Sequence, residues 1–121
     1  MRHDRPQRLG AALKKEISQM IHDELKDPRI GFVTILDVDV SPDLKNAKVI
    51  FSVLGNEKAK KNALAGLKSS ISYIQHLLGE RLALRFIPKI RFSLDTTEEE
   101  AMHIEELLNK IKQEREERGD E

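Results

Sequence analysis

The residues of this chain with the clearest chemical meaning are cations. Arg2, Arg5 and Arg8 precede or open a helical stretch, Lys26 and Arg29 flank its end, and Arg81, Arg85, Lys89 and Arg91 surround a late strand. Such a set suits the phosphate backbone of a nucleic acid, because each phosphate neutralised by Lys or Arg releases condensed counterions. A merely soluble surface uses the same residue types, so the cluster by itself leaves the two readings even. Catalytic sets are scarcer. His3, His22, His76 and His103 show no ligand spacing of the His-Glu-x-x-His kind, and no glycine-rich phosphate loop is present. The absence of cysteine excludes a disulfide framework, a thiolate zinc site and a cysteine nucleophile. Asp37 and Asp39 share a strand face, as a metal-binding or acid–base pair would, but the solvent face of a half-buried strand looks the same and is commoner. No catalytic residue, metal or cofactor is expected.

Charge distribution adds to the case for binding. The 21 basic and 21 acidic residues cancel over the whole chain, yet from Asp95 onward there are 11 acidic and 4 basic residues. The body before it is therefore strongly basic, as a polyanionic partner would require. Aromatic residues are few: Phe32, Phe51, Tyr73, Phe86 and Phe92. Most occupy positions that suit a core, and no aromatic pair stands in an RNP-type strand, which argues against an RRM or cold-shock stacking platform. Recognition by shape and phosphate contact is the expectation.

The elements that must position these cations follow from periodicity. At 121 residues the chain suits one domain. Leu9, Leu13, Ile17, Met20, Ile21 and Leu25 recur at helical spacing, with Asp4 and Gln7 as a capping pair and Pro6 in the first turn. Arg8, Lys14 and Lys15 lie off that stripe. The helix should end before Asp27-Pro28, since a residue preceding proline is pushed out of the α region. Residues 32–40 predict a strand with Leu36, Val38 and Val40 inward, and the adjacent Ile35-Leu36 pair marks a bulge or a doubly covered segment. Ser41-Pro42-Asp43 predicts a turn, followed by a second strand with Ala47, Val49, Phe51 and Val53 on one face.

Asn56 is placed to cap a helix carrying Ala63, Leu64, Leu67, Ile71, Ile74 and Leu78, with a kink or break over Ser69–Tyr73, where helix formers are lacking. A third strand follows Pro88, with Ile90, Phe92 and Leu94 on one side and Lys89, Arg91 and Ser93 on the other. Thr97-Glu98-Glu99-Glu100 reads as a capping box opening a last helix, with Ile104, Leu107, Leu108 and Ile111 as its apolar positions. Residues 1–111 then form one α+β domain, helices over a small three-stranded mixed sheet. Residues 112–121 form an acidic tail without apolar anchors, expected to be disordered. No run approaches the ~20 apolar residues of a membrane span, and no signal-type stretch follows the first residues, so a soluble, cytoplasmic protein is expected.

Several segments together carry a family resemblance: Arg5-Pro6-Gln7-Arg8, Lys26-Asp27-Pro28-Arg29-Ile30-Gly31, Val40-Ser41-Pro42-Asp43-Leu44 with Ala47-Lys48-Val49, Leu77-Leu78-Gly79 with Leu84-Arg85, and Pro88-Lys89-Ile90-Arg91-Phe92. In this order they resemble the ribosome-binding factor A family, over nearly the whole chain. The resemblance implies a type II KH-like fold, α-β-β-α-α-β, without the usual Gly-x-x-Gly loop and with an Ala-x-Gly kink between the central helices. Ser70-Ile71-Ser72 stands at that kink here, which removes glycine's backbone freedom while leaving serine's capacity to bend a helix.

It also implies a partner and a role. Family members bind the immature small ribosomal subunit, contact 16S ribosomal RNA near its ends and the decoding region, and assist late maturation, notably in the cold. In some bacteria a GTPase helps release them. Such a protein would act as a monomer and hold RNA rather than cut it. The expected phosphate contacts are Arg5, Arg8, Lys15, Lys26, Arg29, Arg81, Arg85, Lys89 and Arg91, with Ser70 and Ser72 shaping the kink and the acidic tail staying off the RNA. Two rivals are a KH-type RNA-binding protein outside ribosome assembly and an adaptor using the basic face on an acidic protein. A metal-dependent nuclease using Asp37 and Asp39 is a weaker third.

Overall fold

The computed structural model describes residues 4–119. Arg2 and His3 lie outside the described residues, as does the side chain of Asp4 and with it the expected capping pair to Gln7. The elements are α1 (Asp4–Asp23), β1 (Val33–Val40), β2 (Asn46–Val53), α2 (Glu57–Ser69), α3 (Ile71–Leu82), β3 (Lys89–Leu94) and α4 (Thr97–Glu117). The sheet order is β1-β2-β3. Because β1 and β2 are antiparallel they need only a turn, whereas β3 runs parallel to β2 and is reached through the α2–α3 crossover.

Three helices and one sheet face enclose the core. Leu13, Ile17 and Met20 from α1 meet Val38 and Val40 of β1, Val49 and Phe51 of β2, Leu67, Ile74 and Leu78 of the crossover, and Ile90 and Phe92 of β3. Asn56 caps α2 by accepting from the Ala59 N–H at 2.9 Å. In β1 the register slips between Ile35 and Asp37, and Leu36 is the extra residue. Leu36 was expected to point inward but is exposed, and Ile35 is buried in its place. A bulge resets the alternation, so residues on either side of it can both face the core.

The central helices break at Ser70, which ends α2 and stands at the N-cap position of α3 without a side-chain capping bond. Its hydroxyl donates to the Gly66 carbonyl at 2.9 Å and the Ser69 hydroxyl to that of Ala65 at 3.0 Å, the back-bonding that bends helices. Ser70 takes φ −94° and ψ −3°, a conformation open to any residue, so this break needs no glycine. Ser72 is exposed.

The last helix departs from the sequence reading twice. Its N-cap is Thr96 rather than Thr97, and the Thr96 hydroxyl donates to Glu100 while Asp95 accepts from the Thr97 N–H. Moreover, α4 continues to Glu117 instead of ending near Ile111. Residues 112–117 are straight-chain helix formers, and Glu106–Lys110 and Glu114–Arg118 fall at the favourable i,i+4 spacing. None of its residues is buried, and Ile104, Leu107, Leu108 and Ile111 are all exposed.

The helical layer approaches the sheet backbone closely at Gly10, where α1 crosses β1. A Cβ on Gly10 would stand 2.6 Å from the Val38 carbonyl oxygen, a backbone atom that cannot rotate aside. On Gly79 it would meet only Ile87 Cγ1, at 3.8 Å. Gly10→Ala is therefore expected to destabilise the fold by about 1–3 kcal/mol net of its helix-propensity gain, while Gly79→Ala stabilises it by about 0.5–1 kcal/mol. Urea unfolding midpoints moving in opposite directions would bear this out.

Candidate nucleic-acid interface

Inward burial of Ala47, Val49, Phe51, Ile90 and Phe92 turns the alternate residues of β2 and β3 away from the helices. The parallel register sets Asn46 beside Lys89 and Lys48 beside Arg91, and the antiparallel one sets Asp39 on the other side of Lys48. The open face thus carries a cationic row at the end nearest the β1–β2 turn. There a shallow groove of about 480 Å³ is lined by Asp39, Ser41, Asn46, Lys48, Lys89 and Arg91. Among the described residues, none of Lys48, Lys89 and Arg91 has an ion-pair partner.

The turn that frames this groove is internally bonded. The Ser41 hydroxyl donates to Asp43 at 2.6 Å and accepts from the Asn46 N–H at 3.0 Å, and Asp43 also accepts from the Lys45 N–H. The Ser41 hydroxyl, then the Lys45 N–H, hold the Asp43 carboxyl below its ordinary pKa. The Lys89 N–H donates to the Lys45 carbonyl at 2.8 Å, pinning the start of β3 to the turn. Arg5 lies across the same turn, lining a second hollow with Pro6, Asp39, Pro42 and Asp43. Lys45 and Lys48 were not singled out from the sequence. Alternation in β2 put Lys48 on the polar face, but only the pairing with β3 sets it beside Arg91.

The remaining candidates do not join this row. Arg8 and Lys15, seven residues apart, share the outer face of α1 on the opposite side of the sheet. Lys26 is exposed in the loop after α1. Arg29 grips Asp27, with Nε 3.0 Å from Oδ1 and Nη2 2.6 Å from Oδ2, and also reaches the Ser69 hydroxyl at 3.2 Å. Arg81 pairs with Glu24 and lies 3.8 Å from Glu16, so its charge ties α3 to α1 and its flank. The Glu24 carboxylate raises its pKa. Both guanidiniums are engaged by carboxylates of the same chain, which competes with the phosphate role expected of them. Arg85 lies over the Phe86 ring, 5.6 Å from its centroid. Ser70, Ile71 and Ser72 sit in the helical layer, remote from the open sheet face. Among the described residues no group of three or more His, Asp or Glu is placed to hold a metal ion, and no helix is long and apolar enough to cross a membrane.

An α-β-β-α-α-β order, a serine-bent break in the central helices and a cationic open sheet define a type II KH-like α+β protein. The chain belongs to the ribosome-binding factor A family, whose model, described as "Ribosome-binding factor A", matches residues 5–108. It is 48% identical over 116 residues to the ribosome-binding factor A of Halothermothrix orenii, covering 96% of this chain and 95% of the relative. The crystal structure of ribosome-binding factor A from Thermus thermophilus superposes with a TM-score of 0.66 at 26% identity, over 74% of this chain and 93% of that one. A homology model of the Thermus thermophilus ribosome-binding factor A, fitted into a cryo-EM map of a 30S–RbfA complex, gives a TM-score of 0.61 at 26% identity, covering 71% and 90%.

The Arg29 side chain, then its backbone N–H, hold the Asp27 carboxyl down at about 2, from an ordinary 3.8. A depressed folded-state pKa stabilises the fold above the ordinary value, and that contribution is lost as pH falls through 3.8 toward 2. Carboxylate 13C shifts are expected to show Asp27 ionised until about pH 2, and Arg29→Ala to return its midpoint toward 3.8.

Proposed function

We propose that this protein binds the immature small ribosomal subunit through 16S ribosomal RNA and assists its late maturation. It works in the cytoplasm, by holding RNA rather than by catalysis. The observation that carries this reading is the unpaired row of Lys48, Lys89 and Arg91 on the open sheet face. Three cations without intramolecular partners are free to exchange counterions for phosphates, whereas Arg29 and Arg81 would first have to leave their carboxylates. Family membership and the 30S complex of the Thermus thermophilus relative support the small subunit as partner. Arg5, Arg8, Lys15, Lys26 and Arg85 supply further phosphate contacts around the row. The acidic residues after Ile111 stay off the RNA and disfavour unrelated sequences.

Sedimentation with purified small subunits, large subunits and full ribosomes tests this. Selective binding to small subunits is expected. If the row makes three phosphate contacts, its share of the affinity should fall roughly 20- to 40-fold between 50 and 200 mM salt. Lys48→Ala, Lys89→Ala and Arg91→Ala should each weaken binding and each reduce the slope of log affinity against log salt by about 0.7–0.9. Arg81→Ala should leave that slope nearly unchanged. Association with no ribosomal particle, or equal slopes in all four variants, would overturn the reading. Removal of residues 112–121 should raise affinity for an unrelated RNA, measured by filter binding, with affinity for small subunits preserved.

A further inference from the structure

The phenylalanines divide into two kinds. Phe51 and Phe92 are buried against each other, whereas Phe32 and Phe86 are 78% and 79% exposed. Phe32 lies beside Leu54, equally exposed, whose N–H donates to the Phe32 carbonyl at the end of the hairpin opposite the turn. Phe86 has a different setting. It stands in the loop between α3 and β3, after Ala83 in the left-handed region at φ 50°, and Arg85 covers one side of its ring. The residue is 79% exposed even so, which leaves most of the ring open to solvent. Phe86 precedes Lys89 by three residues, so their backbones are at most ~10 Å apart. Lys89 in turn begins the unpaired cationic row.

We infer that Phe86 is a stacking platform for an unpaired base of the RNA strand whose phosphates lie on Lys89 and Arg91. The inference rests on the reading of the open sheet face as the RNA-binding surface and adds a requirement for single-stranded character in the RNA. A ring backed on one side by a guanidinium presents a flat apolar face beside cations. That combination suits a nucleobase, which has a π-face and carries its own phosphate, better than an aliphatic protein surface, which has neither. Stacking is indifferent to base identity, so Phe86 would register that a base is unpaired rather than which base it is.

The chain contains no tryptophan, so Phe86→Trp places a single reporter at the site. Its fluorescence should be quenched by an unstructured single-stranded RNA and far less by the same strand annealed to its complement. Phe86→Ala should weaken single-strand binding about five- to a hundredfold with no change in the salt slope, because stacking releases no counterions. Phe86→Tyr should restore the affinity and Phe86→Leu should not. Unchanged affinity in Phe86→Ala, or full rescue by Leu, would overturn the proposal. So would a Phe86→Ala variant that loses small subunits but keeps naked 16S RNA, since the ring would then be touching protein. Lys89→Ala separates the two layers of the argument. If it weakens single-strand binding while Phe86→Ala does not, stacking alone fails; if neither does, the RNA surface fails with it.

Discussion

The edge-to-face contact between Phe51 and Phe92, with ring centroids 6.1 Å apart and planes at 81°, joins the two strands on which the rest depends. It fixes β3 against β2 at the register that pairs Val49 with Phe92. Because strand side chains alternate with a period of two, a slip by one residue would drive Arg91 into the core and Phe92 into water. The exchange would be costly: Phe92 belongs to the buried hydrophobic cluster, and an unpaired guanidinium there would be heavily penalised. The core contact therefore also sets Lys48 beside Arg91. Packing and the candidate interface are the two faces of one register.

A second constraint acts on the cations themselves. This domain uses some of its arginines as internal ties, Arg29 clasping Asp27 next to Ser69, and Arg81 joining Glu24 and Glu16. Exposed pairs of this sort contribute little to stability, but they fix where the guanidinium points. The result is a division of labour among like residues: Arg29 and Arg81 are held by carboxylates of their own chain, and the cations of the open sheet remain available. The net positive charge of the residues before Asp95, 17 basic against 10 acidic, conceals this division.

Most of the architecture was legible because it depends on local pattern. Alternation in β2 and β3, the Asp27-Pro28 stop, the Asn56 cap and the serine-rich break each reflect a rule acting within a few residues. The irregular Ile35-Leu36 pair announced the bulge, although only the pairing with β2 revealed which of the two would face outward. The candidate site was less legible for the same reason. Lys48 joins it through a parallel pairing partner some forty residues away, and Arg81 leaves it through carboxylates on another helix and its flank. Phe86 reads like any core aromatic in a sequence, since exposure is decided by the loop that carries it. The apolar positions of α4 form a regular helical pattern yet bury nothing, because a periodic stripe requires a surface to meet and this helix leaves the sheet without one.

The crossover between β2 and β3 also governs the order of events when the chain folds. Residues 41–45 suffice to join β1 to β2, so that hairpin is available early, but β3 follows only after residues 54–88. Until then β2 presents a bare edge lined on one side by Ala47, Val49 and Phe51, which favours pairing with other chains. Non-local parallel pairing is slow because its loop entropy must be met before any contact forms. On the ribosome, where residues emerge in order, the sheet stays open until β3, ending at Leu94, has emerged. Through that interval the β3 side of β2 has no partner within its own chain.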